Sequence, residues 1–260
     1  MDLMTLCGIL VGGGAVFYVM VQGNIVNLLL DANAAILVFG GTLGAALITY
    51  PWKIVKIIPK AITMMIFPPK RITNDNAVKT IVGLAERAKR EGIEKLQEEI
   101  PKLETPFLRD ALQLVVDGLE TEIIKEKLEK ELSLVRQRHH QVASIFRSMG
   151  AYSPIFGLLG TLIGVVQVLR NLSDAQSMGA AMAIAVTTTF YGIFGANFIF
   201  LPIAGKLTIY SEDEITLKEL LARGVLSIQK GDVPVLIQTK LEAFLAYKLR
   251  GKEEKKYNHR

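Results

Sequence analysis

The sequence is poor in the residues that usually carry chemistry. Cysteine and tryptophan occur once each in 260 residues, and histidine three times. The lone Cys7 cannot close an intrachain disulfide, and its place in an apolar stretch predicts a buried, unreactive thiol. There is no phosphate-cradling G-x-x-x-x-G-K-[ST], no H-E-x-x-H, no paired-cysteine site and no G-x-S-x-G elbow, so no enzyme class has a motif to stand on. His139 and His140 are adjacent and fall on different sides of a helix, which argues against a shared metal. The glycine cluster "VGGGAVF" at 11–17 follows no strand, which excludes a dinucleotide fingerprint and points to close helix packing.

A further scarcity concerns charge. Half of the residues are apolar and the mean hydropathy is +0.35. The apolar residues gather into four blocks, 1–21, 32–50, 150–169 and 179–203, each close to the ~20 residues a membrane-crossing helix needs. The first lacks the basic flank and small-residue cleavage site of a secretory signal, so it is expected to be a mature span. None of the four interiors contains Asp, Glu, Lys, Arg or His. Pumps and proton-coupled transporters mark their ion path with such a residue, because an intramembrane charge is costly. This chain alone therefore has no proton carrier.

Basic residues near the span ends set the expected orientation. Lys53, Lys56 and Lys60 follow the second block, Arg136, Arg138 and Arg147 precede the third, and Lys206 follows the fourth. The connection "QGNIVNLLLD" has none, and only Arg170 lies between the third and fourth. Both termini and the middle segment are thus predicted to be cytoplasmic. The net charge of +5 is mostly this bias, rather than a nucleic-acid-binding signal.

The fold class expected is all-α: a polytopic membrane protein with four transmembrane helices and a cytoplasmic helical domain. The organisation is spans one and two over 1–52, a cytoplasmic helical domain over 53–149, spans three and four over 150–204, and C-terminal cytoplasmic helices with a charged tail over 205–260. Pro68 and Pro69 stop a helix, and Thr73 or Asn74 can cap the next. Ala77, Ile81, Leu84, Ala85 and Ala88 recur at helical spacing, as do Leu108, Ala111, Leu112, Val115 and Leu119 beyond Pro106. Two further amphipathic helices are expected after span four, broken at Gly231-Asp232. No alternating strand pattern is present.

Within this frame "YSPIFGLLGTLIGVV" at 152–166 is unusual for a span. Gly157, Gly160, Thr161 and Gly164 fall at i, i+3, i+4 and i+7, making one flat face of small residues that another helix can approach closely. Span four adds Thr187, Thr188 and Thr189, whose hydroxyls can also bond back to a carbonyl three or four residues earlier. Pro154 and Pro202 cannot donate to Gly150 and Phe198, which predicts a local hinge in each helix.

These residues carry a family resemblance. "AYSPIFGLLGTLIGVVQVL" and "GAAMAIAVTTTFYGIFGANFIFLPIAGKL" resemble spans three and four of the MotA/PomA flagellar stator family. "GVLSIQKGDVPVLIQTKLEAFL" resembles its C-terminal cytoplasmic segment. Gly40–Thr42, "GGT" in span two, and "LAERAKREGIEKL" in the loop extend the likeness over nearly the whole chain.

The resemblance implies a subunit of the bacterial inner membrane, a homopentamer around a MotB/PomB-type single-span partner dimer. That partner brings the ion-binding aspartate this chain lacks and anchors to peptidoglycan. Inward flow of sodium or protons would then turn the ring and push on the rotor protein FliG. No cofactor is expected beyond the transported ion. Residue by residue, the likeness assigns Thr161, Thr188 and Thr189 to the ion pathway and Pro154 and Pro202 to conformational coupling. Lys89 and Arg90 go to the rotor contact, with Glu98 beside the family's acidic position, which is Gln97 here. Three hydroxyls favour sodium over protons, which need no coordination shell. An energising channel of the ExbB/TolQ type also surrounds an aspartate-bearing partner, but has three spans. A self-contained transporter would conduct without a partner, and a passive scaffold would never conduct. Lys- and Glu-rich helices hint at a heat-adapted source.

Overall fold

The computed structural model describes residues 3–66, 72–170 and 172–243, and every regular element among them is helical. The expected break at Pro68-Pro69 and the charged tail lie outside the described residues. Four helices are long and apolar enough to cross a membrane: Met4–Gln22, Ala32–Thr49, part of Thr121–Arg170 and part of Gln176–Gln229. They correspond to the four apolar blocks and are called spans one to four here.

The chain divides into two compact units. The first comprises the described residues of Met1–Pro69 and His139–Ile209 and contains the spans. Acidic caps start two of them. Asp31 accepts a 2.7 Å bond from the Ala34 N–H, and Asp174 a 3.1 Å bond from the Gln176 N–H. Each places a carboxylate on the positive end of a helix and satisfies an otherwise unpaired donor. The apolar core of this unit gathers Ala46, Val142, Ile145, Phe146, Met149, Phe200 and Ile203. Tyr50 fastens the end of span two to the long helix, its hydroxyl lying 3.0 Å from the Ser144 carbonyl and 2.7 Å from the Ser148 hydroxyl.

Spans one, two and four are not uniform α-helices. Each contains one widened π turn: Ile9–Gly13, Ile36–Gly40 and Gly195–Phe200. The third has a physical cause nearby, because Pro202 has no N–H and its ring crowds the carbonyl of Phe198, which a wider turn relieves. Span three runs through Pro154 without a break in the helix. Span one is the least covered, with none of its apolar window buried by the chain. The expected burial of Cys7 is accordingly corrected: among the described residues the thiol is exposed.

The second unit comprises the described residues of Lys70–Arg138 and Tyr210–Arg260. Thr73 caps the helix Asn74–Glu91 through the Asn76 N–H at 3.4 Å. That helix ends where Gly92 adopts φ 92°, a left-handed conformation that disfavours a side chain. The helix Pro106–Val116 begins with proline at its first position, where no N–H is required. The core is largely aliphatic, built around Ile81, Leu96, Leu112, Ile124, Leu220 and Ile237, with Phe107 among them. Gly224 lets the helix Leu201–Gln229 lie against Ile81, since a Cβ there would sit 2.6 Å from that side chain. The expected break at Gly231-Asp232 is present: Leu201–Gln229 ends there, Gly231 takes φ 73°, and residues 234–243 are again helical.

Candidate functional site

The small face of span three is occupied by span four. A Cβ on Gly157 would lie 2.9 Å from the Thr188 carbonyl oxygen, and one on Gly164 2.6 Å from the Ala185 Cβ. A Cβ on Gly160 would overlap the Thr188 side chain. From the other side, a Cβ on Gly192 would lie 2.8 Å from the Ser153 carbonyl oxygen and 3.0 Å from the Gly157 Cα. The two backbones are therefore in contact along this seam, as small-residue packing in a membrane allows. Ser153, fully buried, donates a 3.0 Å hydrogen bond to the Gly192 carbonyl across it.

The threonines separate into two kinds. Thr188 is fully buried and its hydroxyl donates to the Ala185 carbonyl at 2.9 Å. Thr161 and Thr189 are half-buried, and their hydroxyl oxygens lie 2.6 Å apart. Each also reaches a carbonyl of its own helix, Gly157 at 3.1 Å and Ala185 at 3.2 Å. Two hydroxyls carry two protons but four acceptor lone pairs. One proton lies between the two oxygens and the other goes to a carbonyl, so acceptor capacity remains. The pair is a neutral, oxygen-rich spot at the margin of the span three–span four seam, in a bundle whose described spans contain no ionised side chain.

In the second unit, Lys89 and Arg90 stand exposed in the last turn of Asn74–Glu91, where positive charge complements the helix end. Neither enters an ion pair among the described residues. Glu98 does: it accepts from Arg87 at 2.9 Å and Lys95 at 3.0 Å. The hydrogen bond from Lys95 and its positive charge hold the Glu98 carboxyl below the usual carboxylate range. Arg87 also pairs with Glu91 at 3.0 Å and with Glu99. Gln97, at the family's acidic position, exchanges hydrogen bonds with Gln113 at 3.1 and 3.2 Å. Pro154 lies at the seam, 3.2 Å from where a Cβ on Gly192 would be, whereas Pro202 is exposed. Sequence reasoning missed Ser153, Arg87 and the two aspartate caps. The caps had a readable signal, an Asp immediately before an apolar run.

Residues 99–220 match the MotA/TolQ/ExbB proton channel family. Over 94% of this chain and 96% of its relative, the sequence is 32% identical to chemotaxis protein PomA of Vibrio alginolyticus. It is 33% identical to motility protein A of Borreliella burgdorferi over 95% of both chains. The flagellar MotAB stator complex of Bacillus subtilis contains a chain that superposes with a TM-score of 0.87 at 30% identity, covering 95% of this chain and 97% of that one. A chain of C. jejuni MotAB superposes with a TM-score of 0.84 at 26% identity. The chain belongs to the motility protein A/PomA family of flagellar stator subunits, and so to a class of channel components rather than enzymes.

Proposed function

We propose that this subunit assembles around a MotB/PomB-type single-span partner as a ring of five, and that the Thr161–Thr189 pair is its contribution to the ion pathway. The observation that carries this is the half-buried pair itself, oxygen-rich, uncharged and left with acceptor capacity in a bundle without an ionised side chain. A carboxylate from the partner would supply the charge, and the hydroxyls part of a dehydrated cation's shell. Each monovalent cation moving down 100 mV releases ~2.3 kcal/mol. Neutralising the carboxylate changes how the seam fits against it, and Pro154 and Pro202 pass that change along their helices. Thr188, buried against Gly160, acts through packing, as the back wall of the pair. Both termini and the second unit lie on the cytoplasmic side, where Lys89 and Arg90 are offered to FliG, and Glu98 steadies the adjoining turn through Arg87 and Lys95.

Hydroxyls favour sodium as the coupling ion, and no other cofactor takes part. The test is ion flux into proteoliposomes holding this chain alone or co-expressed with its partner lacking any plug segment, with sodium and protons measured separately. Flux in the pair only, abolished when the partner's aspartate is changed to asparagine, supports the reading. Flux from this chain alone would overturn it in favour of a self-contained transporter. Thr161→Ala should abolish sodium-dependent swimming, and unaltered swimming speed would remove the sodium assignment.

A further inference from the structure

The irregular turns of the first unit meet one another. The Phe198 ring, in the π turn of span four, lies 2.7 Å from where a Cβ on Gly12 would sit, and Gly12 is in the π turn of span one. Phe39, in the π turn of span two, lies 3.0 Å from where a Cβ on Gly195 would be, at the start of the π turn of span four. The same point is 3.0 Å from the Ser153 hydroxyl of span three, one residue before Pro154. Gly41, directly after the π turn of span two, has no room for a Cβ because the Phe156 ring of span three fills that space. All four spans thus bring an irregular turn, or the residues flanking one, to a single level of the bundle.

We propose that these turns form one bending layer and that Phe39 is the positioning residue that ties spans two and four together in it. A π turn holds one residue more per hydrogen-bonded ring than an α turn, so it can shift along a helix or convert at low cost, and such turns concentrate at functional places. A proline turn lacks one rung of the ladder and bends for a related reason. One such turn makes one flexible helix. Several in contact make bending collective, because a ring wedged between them cannot stay seated if only one helix moves. Phe39 is that ring, half-buried, with its centroid 6.0 Å from Tyr191 and 6.5 Å from Phe200. Tyr191 is fixed in turn by a 2.6 Å bond from its hydroxyl to the Leu29 carbonyl. The layer includes residues of spans three and four, which also carry the hydroxyl pair, and its functional consequence, though not its existence, rests on the stator reading.

Hydrogen exchange of the full chain in lipid nanodiscs tests the layer directly. Phe39→Ala should raise exchange about threefold or more in peptides covering both 36–40 and 195–200, since removing the shared ring loosens both turns. Phe39→Tyr, which keeps the ring, should return both to the wild-type rate. Faster exchange confined to span two, or no change at all, would overturn the proposal. Where Phe39→Ala fails to accumulate, Gly195→Ala probes the same contact from span four, and the change must then reach 36–40. In the complex with its partner, Phe39→Ala should keep ion flux within about twofold while torque per stator falls severalfold, as a loss of coupling rather than of the pore. Flux and torque falling in proportion would mark Phe39 as merely structural. Absence of flux from the wild-type pair would defeat the stator reading, yet the exchange experiment would still decide the layer.

Discussion

In the membrane unit, the contacts that fix the arrangement depend on atoms that are absent. Gly157, Gly160, Gly164 and Gly192 let spans three and four touch through their backbones, while large side chains such as Leu158, Leu162 and Val166 point away from the chain. In the second unit the reverse holds. Ile81, Leu96, Leu112, Ile124 and Leu220 are fully buried against one another, and volume fills the space. The difference follows from the solvent. Water drives apolar side chains together, whereas lipid offers them no worse a home than another helix does, so only close fit and hydrogen bonds remain to choose a neighbour. The first unit should therefore be most sensitive to added atoms, and the second to removed ones.

The largest effect should come from emptying the second unit. Leu112→Ala removes a fully buried side chain and leaves a cavity, at a cost of about 2–5 kcal/mol. Thermal unfolding of the purified protein in detergent should show a clearly lowered transition. A shift within error would mean that this core is looser than its burial indicates. Next comes the smallest possible addition to the first unit. Gly157→Ala places a Cβ 2.9 Å from the Thr188 carbonyl oxygen and 3.3 Å from the Thr189 Cα, both backbone atoms. Forcing the helices apart should cost about 1–3 kcal/mol. It should also separate Thr161 from Thr189, so that ion flux falls even where the protein still accumulates. Unchanged flux would show that the seam can widen freely, and the contrast between the units would lose its sharpest support.

The same substitution in the other unit should have the opposite sign. Gly83 lies within the helix Asn74–Glu91, exposed, with no atom within 4 Å of where a Cβ would be. Gly83→Ala should stabilise by about 0.5–1 kcal/mol, because alanine loses less chain entropy on entering a helix. A melting point raised by Gly83→Ala and lowered by Gly157→Ala would separate glycine needed for approach from glycine merely tolerated. Destabilisation in both would mean that the outer face of Asn74–Glu91 is also a contact surface.

Much of this was legible in the sequence because length and periodicity act locally. Four apolar blocks specify four spans, and Thr73, Pro106 and Gly231 mark helix limits by their own chemistry. The repeat of Gly157, Gly160, Thr161 and Gly164 announced a close approach, but not which helix makes it. Residue spacing describes one surface, and the partner surface, here Ala181 to Gly192, has no spacing relation to it. For the same reason the three span-four threonines looked alike in sequence. Their division into buried Thr187 and Thr188 and half-buried Thr189, which meets Thr161, depends on the helix rotation that the seam imposes. The π turns left no trace in the apolar pattern, since one extra residue in a turn changes the phase of a helix without changing its composition.

The smallest effect should come from charge at the end of the second unit, where neither volume nor close approach is involved. Asp232 follows the left-handed Gly231 and accepts a 2.6 Å bond from Lys240 in the helix of residues 234–243. That hydrogen bond, with a second from Ser227, holds its carboxyl below the ordinary value of 3.8. A carboxyl lowered by folding binds protons more weakly in the folded state than in the unfolded one. Its stabilisation is therefore complete above 3.8 and is lost as pH falls through the lower folded value. Because the pair reaches solvent, the gain is small and screened by salt. Asp232→Asn should lower the melting point slightly at about pH 7, with the gap closing in acid, below 3.8, as the wild-type carboxyl is protonated. A gap that persists in acid would assign the effect to the turn's hydrogen bonds rather than to charge, and would place this junction with the membrane unit, where geometry rather than solvent decides.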